Sequence, residues 1–253
     1  MTSTTIAVIV LVCVFCGALG GMYLRIVLPE QHFNQDARDV IKLGMGLIAT
    51  MTALVLGLVI ASAKSSFDMQ VSAVKQSAAD MLLLDRVLAH YGPETKDVRA
   101  VIRRTVAARI EAIWPLDSTR SAELDAPGVT PTVEGIEAQI RHLSPQNDDQ
   151  RWLQSRALSL SSDLQKTRWL MLGGVGNSIP IPFLVVVVFW LTIIFGSFGL
   201  FAPRNATVIT ALFVCALSVA TSIFLILEMD RPFDGLMKVS SAPVRYTFSQ
   251  LGQ

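Results

Sequence analysis

The stretch that most constrains this chain runs from Leu43 to Tyr91. Its first part, Leu43–Ala63, holds 21 residues without a charge and is apolar enough to cross a bilayer core as a helix. Lys64 follows, yet neither Gly nor Pro occurs between Leu58 and Tyr91, so nothing local ends the helix at a membrane surface. Beyond Lys64 the apolar residues Phe67, Val71, Val74, Ala78, Met81, Leu82 and Leu88 recur at three- and four-residue steps, the period of an amphipathic helix. The expectation is one helix that crosses the membrane and continues into water, about 70 Å long. The other elements would pack against its two halves.

The composition calls for more spans than this one. Of 253 residues, 52% are hydrophobic, and mean hydropathy is +0.51, too apolar for an ordinary soluble protein. Three further apolar runs supply them: Thr5–Leu24, Ile179–Phe201 and Ala206–Leu227. The first has the length of a secretory signal, but no basic residue precedes Arg25 and Met22–Leu28 stays apolar, so it reads as a retained span. Its Cys13, Gly17 and Gly21 form a stripe of small residues that lets helix backbones approach closely in lipid. Between the last two runs, Ala202–Asn205 leaves room only for a tight turn, and Thr207, Ala211, Cys215, Ser218 and Ser222 share a face of the fourth span. Four spans put both termini and the section between spans two and three on one side. That side offers Lys64, Lys75, Lys166, Arg168, Arg231, Lys238 and Arg245 near the membrane, against Arg25, Arg38, Lys42 and Arg204 on the other, which places it in the cytoplasm.

Lys64–Ser178 is the polar section, with 14 basic and 14 acidic residues. Mixed charge of this kind describes a solvated domain, and a whole-chain net charge of +1 gives no pull towards nucleic acid. Gly92-Pro93 ends the long helix, and Pro93 suits the first turn of the next, whose stripe is Val98, Ile102, Val106, Ile110 and Ile113. Pro115–Pro131 reads as an exposed loop. Thr130-Pro131 would cap a third helix carrying Val133, Ile136, Ile140 and Leu143, stopped by Ser144-Pro145. A fourth, from about Asp148, carries Leu153, Ala157, Leu160, Leu164 and Met171 and closes at Gly173-Gly174. Gly173–Gly176 then reads as a hinge. No stretch alternates with period two, so the section is expected to be a small helical bundle. The tail from Glu228 thins out to a polar end.

Several short segments, taken together and in order, resemble the bacterial bestrophin-like membrane family. They are Ala-Lys-Ser-Ser-Phe-Asp at Ala63–Asp68, Ile-Pro-Ile-Pro at Ile179–Pro182, Phe-Gly-Leu-Phe-Ala-Pro-Arg-Asn at Phe198–Asn205, Glu-Met-Asp-Arg-Pro-Phe at Glu228–Phe233, and Val239–Pro243. The resemblance spans roughly Leu43 to Arg245, and its motif residues are Ser65, Ser66, Phe67, Asp68, Glu228, Asp230, Arg231, Pro232 and Phe233. Through the related bestrophin anion channels it implies a homo-oligomer, pentameric in those channels, lined by the second membrane helix and passing an inorganic anion such as chloride. Three departures stand out. The membrane half of the long helix has no aromatic residue, Asp234 separates Pro232-Phe233 from Gly235, and the run of consecutive acids that binds calcium in the animal channels is absent.

On the long helix Gly46, Thr50, Ala53, Gly57 and Ala61 form a stripe that either lines a pore or packs tightly against another helix. Lys64 either meets anions at a pore entrance or snorkels to the headgroups. Glu228, Asp230 and Asp234 offer oxygen ligands, but without EF-hand spacing they read as a helix end paired with Arg231 and backbone N–H groups, so no metal is expected. Asp85 falls near the apolar stripe, where it would sit open to water or pair with Arg103 or Arg104. Cys13, Cys16 and Cys215 form no metal or disulfide pattern, the three histidines are scattered, and no catalytic motif occurs, so neither enzyme activity nor a cofactor is expected.

The combined expectation is an all-α, four-span protein of the bacterial inner membrane, with a cytoplasmic helical bundle inserted between spans two and three. Its parts would be 1–63 (spans one and two), 64–178 (bundle), 179–227 (spans three and four) and 228–253 (tail). The functional expectation is a homo-oligomeric anion channel in the lipid bilayer. The rival is a non-conducting scaffold or sensor whose bundle binds a protein, a reading suited by the absence of ionisable residues from the spans.

Overall fold

The computed structural model describes residues 2–27, 35–115, 129–174 and 181–252, with side chains at 2–27, 39–115, 135–173 and 181–252. The Thr130-Pro131 cap, Val133 and most of the Pro115–Pro131 loop and the Gly173–Gly176 hinge lie outside the described side chains. Among the described residues the chain is all-helical without strands. Its helices are α1 (Ser3–Val27), α2 (Gln35–Tyr91), α3 (Lys96–Ile113), α4 (Val129–Arg141), α5 (Asp148–Gly174), α6 (Ile181–Phe201), α7 (Ala206–Met229) and α8 (Ala242–Gln250). Four of them, α1, α2, α6 and α7, are long and apolar enough to cross a membrane. The chain divides into two compact units, Met1–Ser65 with Gly176–Asp230 and Ser66–Val175 with Arg231–Gln253. Helix α2 runs unbroken through Lys64, as its lack of Gly and Pro there leads one to expect.

The first unit is built on α1. Val10, Val14 and Ala18 of α1 join Val187, Leu191 and Phe195 of α6 and Ala216 and Ile223 of α7 in one buried cluster. A second cluster sets Val59 and Ala63 of α2 against Ile226 of α7. The α1–α6 contact depends on missing side chains. A Cβ on Gly21 would overlap the carbonyl oxygen of Gly196, one on Gly199 would overlap that of Ala18, and one on Gly17 would stand 2.8 Å from Thr192. The stripe on α1 is therefore met by a matching stripe on α6, a packing mode that gains dispersion contacts where lipid offers no hydrophobic drive. The α6–α7 turn is tied to α1 by two arginines: Arg25 Nη1 donates to Ala202 O at 2.7 Å, and Arg204 Nη2 donates to Met22 O at 2.6 Å. The Arg204 bond sets a cation on a carbonyl near the C-terminal end of α1, and the Arg25 bond sets one just past the end of α6, where cations are favoured. Asn205 caps α7, its Oδ1 accepting from Val208 N at 2.8 Å.

In the second unit the expected stripes do meet. Val74, Ala78, Met81 and Leu88 of α2 share a core with Val98, Ile102, Val106, Ile110 and Ile113 of α3, Ile136 and Ile140 of α4, and Ala157, Leu160 and Met171 of α5. The reversal after α2 is tighter than a direct helix start at Pro93. Pro93–Thr95 form a 3-10 turn and α3 begins at Lys96. Two residues explain this. Gly92 has φ 141°, a conformation costly for a residue with a Cβ. Thr95, fully buried, donates its hydroxyl to Leu88 O at 2.6 Å, with Gly92 O at 2.8 Å.

Two expectations are corrected here. The tail does not end as a polar strand of chain: α8 folds over 242–250 and packs on α3, with Val244, Thr247 and Leu251 buried. Their i, i+3, i+7 spacing is an apolar face too short to stand out in a polar context. Asp85 does not open to water or pair with Arg103 or Arg104. It is 1% exposed and accepts two bonds from Arg99, Nε at 2.8 Å and Nη2 at 2.9 Å. Across the reversal at Gly92, residues seven before and seven after come level, so antiparallel pairing selects Arg99.

Candidate functional site

The membrane half of α2 has two unlike sides within the first unit. Thr52, Val59 and Ala63 are buried, with Val55 and Leu56 packed against the cores. On the other side Gly46, Thr50, Ala53, Gly57 and Ala61 are all exposed. A Cβ placed on Gly46 or Gly57 meets no atom within 4 Å. So among the described residues this stripe packs against no helix of its own chain, in contrast to Gly17 and Gly21. Such a bare row of small side chains is a surface on which another backbone, or the water of a pore, can approach closely.

The stripe's chemistry is sparse. Its one polar side chain, Thr50, donates its hydroxyl to Leu47 O at 2.8 Å, one turn back, so the helix satisfies it internally. Buried Thr52 does the same with Ile48 O at 2.7 Å. No ionisable group interrupts the stripe, so an ion passing along it would be held weakly, a condition for fast transit. Lys64, one turn beyond Ala61, is exposed. The face of α7 carrying Thr207, Ala211, Cys215, Ser218 and Ser222 is exposed as well, and Ser218 and Ser222 donate to Val214 O at 2.9 Å and Ser218 O at 3.0 Å.

The motif residues fall into three structural roles. In Phe198–Asn205, Gly199 permits the approach to α1, Arg204 binds the end of α1 and Asn205 caps α7. At Glu228–Phe233, Glu228 is buried and Asp230 half-buried at the end of α7. Pro232 and Phe233 are buried within the second unit, where Phe233 meets the Trp114 ring edge-on at 6.1 Å, while Arg231 and Asp234 are exposed. Val239 closes this corner: its N–H donates to Pro232 O at 2.7 Å and its carbonyl accepts from Trp114 Nε1 at 2.8 Å. On α2, Ser65 and Asp68 are exposed and Ser66 and Phe67 half-buried, Phe67 against the second unit's core. Among the described residues no group of three or more His, Cys, Asp or Glu is placed to hold a metal, so Glu228, Asp230 and Asp234 do not form one.

Sequence reasoning counted Arg168 of α5 only as a charge near the membrane and passed over Arg109 of α3; inside the second unit the two line one cavity. A signal for Arg168 existed. It stands between Leu164 and Met171 at the three- and four-residue steps of the α5 stripe, where an apolar residue was due.

Comparison with known families gives a match to the bestrophin-like domain over residues 12–244. Comparison with curated proteins and with solved structures gives no match. The matched range takes in α2 to α7, most of α1 and each motif segment named above, and on that extent the chain belongs to the bestrophin-like domain family.

Proposed function

We propose that this chain is the subunit of a homo-oligomeric membrane channel for small inorganic anions such as chloride, lined by the membrane half of α2. The observation that carries this reading is the bare stripe Gly46, Thr50, Ala53, Gly57 and Ala61, which the chain leaves uncovered while burying the other side of the same helix. Membership of the bestrophin-like family supports it. Lys64 stands at the mouth of that path and raises local anion concentration. The chain acts as a channel subunit and not as an enzyme.

The test is anion flux from liposomes holding the purified protein. A Cys-free background is needed because Cys13, Cys16 and Cys215 are exposed. In that background Thr50→Cys and Gly57→Cys should allow a charged thiol reagent to block flux, whereas Thr52→Cys, on the buried side, should resist it. Absence of flux at all voltages would remove the channel reading. Recovery of a stoichiometric soluble partner on the full-length protein would then favour a scaffold or sensor.

A further inference from the structure

The second unit leaves few large apolar side chains in the open, and most of these gather at one end. Met69, Trp169, Leu170, Leu236 and Met237 are exposed, Trp169 by 66% and Leu236 by 81%. Each lies within six residues of a point where the chain passes to the first unit, at 65–66, 175–176 or 230–231. Among the described residues of this unit, the other exposed large hydrophobics, Leu83, Trp152 and Tyr246, stand singly. Contacts inside the unit set the three segments level. Gln70 Nε2 donates to Met171 O at 3.2 Å, and Val74, Met171 and Phe233 line one cavity of ≈ 20 Å³ beside Trp114. Met69, Leu170 and Leu236 therefore belong to one end of the bundle.

An end that faced only water would gain nothing from such side chains. Helix α2 says what else it meets. Its uncharged run Leu43–Ala63, 21 residues, measures about 31 Å, the thickness of a bilayer core. The helix does not break at Lys64, so Met69 stands about 9 Å beyond Ala63, where the headgroup layer, about 6 Å thick, gives way to water. Long side chains on a helix lean towards its N-terminus, which for Met69 is back towards the lipid. Trp169 is of the residue type that favours this layer, apolar in its rings and polar at its N–H. We propose that this end of the bundle is an interfacial anchor, with Met69, Trp169, Leu170, Leu236 and Met237 entering the headgroup layer of the leaflet on their side. The occupant is a lipid surface because the patch continues, along an unbroken helix, the surface that already meets lipid. The exposed charges around it have both signs, Lys166, Arg231 and Lys238 with Asp68, Asp163 and Asp234, so apolar insertion supplies the binding and anionic lipid is not required. The anchor stands whether or not the protein conducts.

The experiment places nitroxide labels on the full-length, Cys-free protein in phosphatidylcholine liposomes, at Leu236→Cys and at Trp152→Cys. Trp152 lies about 26 Å along α5 from Trp169 and serves as the far-end control. The label at 236 should respond to lipid-dissolved oxygen more than to a water-soluble nickel chelate, at a depth of about 5–10 Å in the interface, and the label at 152 should show the reverse. The same depth should hold when phosphatidylglycerol is added. A second readout needs no cysteine: the fluorescence lost in Trp169→Phe should be the part quenched by lipid brominated near its headgroup. A label at 236 as open to the nickel chelate as that at 152 would overturn the proposal. So would a label reached by neither probe and broadened by a second labelled copy, insertion seen only with phosphatidylglycerol, or a Trp169 component untouched by the brominated lipid.

Discussion

Asp85 shows how one residue's surroundings set its worth. Its carboxylate is 1% exposed and holds three donors: two from Arg99 and the Gly252 N–H at 3.2 Å. The fork of hydrogen bonds to Asp85 raises the Arg99 pKa above its ordinary value, with burial acting the other way. Asp85→Ala removes the carboxylate that accepts both Arg99 bonds and should cost about 3–5 kcal/mol, read as a fall in the unfolding transition followed by tryptophan fluorescence. The double variant Asp85→Leu with Arg99→Met should recover most of that loss; no recovery would mean the pair is not acting as a unit. Arg109 predicts the opposite sign. Its folded-state value of about 10 lies below the ordinary guanidinium value, lowered by burial and then by the charge of Arg168, so the folded state binds this proton less tightly than the unfolded one. The cost is full at every pH below 10 and fades only as pH rises above 10. At pH 7–8 Arg109→Gln should therefore match or exceed wild-type stability, and a large fall in Tm would contradict this.

At the scale of elements, glycines on two helices predict contrasting outcomes. Gly21→Ala places a methyl on the Gly196 carbonyl and should force α1 from α6, visible as a loss of folded protein in detergent. Gly57→Ala meets nothing among the described residues of its own chain and removes a weak helix former, so the subunit should fold as well as wild type. Any defect of Gly57→Ala in assembly or flux then reports on what lies outside the chain. A third test concerns α8: Leu251→Ala should cost about 2–5 kcal/mol, since Leu251 is buried in the bundle core. The helices themselves were legible because apolar residues at three- and four-residue steps need a partner face wherever they occur. Val98, Ile102, Val106, Ile110 and Ile113 were all read as core, and all are buried. What the pattern could not carry was pairing. Choosing Arg99 for Asp85 requires knowing the register across Gly92, and telling the covered Gly17–Gly21 stripe from the bare α2 stripe requires knowing which helices are neighbours. Spacing alone makes those two stripes look alike.

At the scale of the whole molecule, the four membrane-capable helices and the family place the chain with membrane proteins. The balance of basic residues supports both termini and the 64–178 section facing the cytoplasm. In intact cells a membrane-impermeant thiol reagent should then label Cys introduced at Pro203 but not at Ser249, and the reverse pattern would invert the topology. Light scattering of the detergent-solubilised protein should give a mass several times the 27.5 kDa chain, and a monomer would remove the central-pore reading.

The second unit takes its last pieces from far along the chain. Phe233, Val239, Val244 and Leu251 complete a core begun at Val74, and Thr247 Oγ1 reaches Ala78 O at 3.0 Å. Between those contributions the ribosome must make α6 and α7. The bundle therefore cannot finish folding as it is translated, and its half-built apolar surface stays open until the last two membrane-capable helices have been delivered. Nascent chains stalled before Arg231 should be sensitive to protease throughout 66–175 and become resistant once 231–252 have emerged.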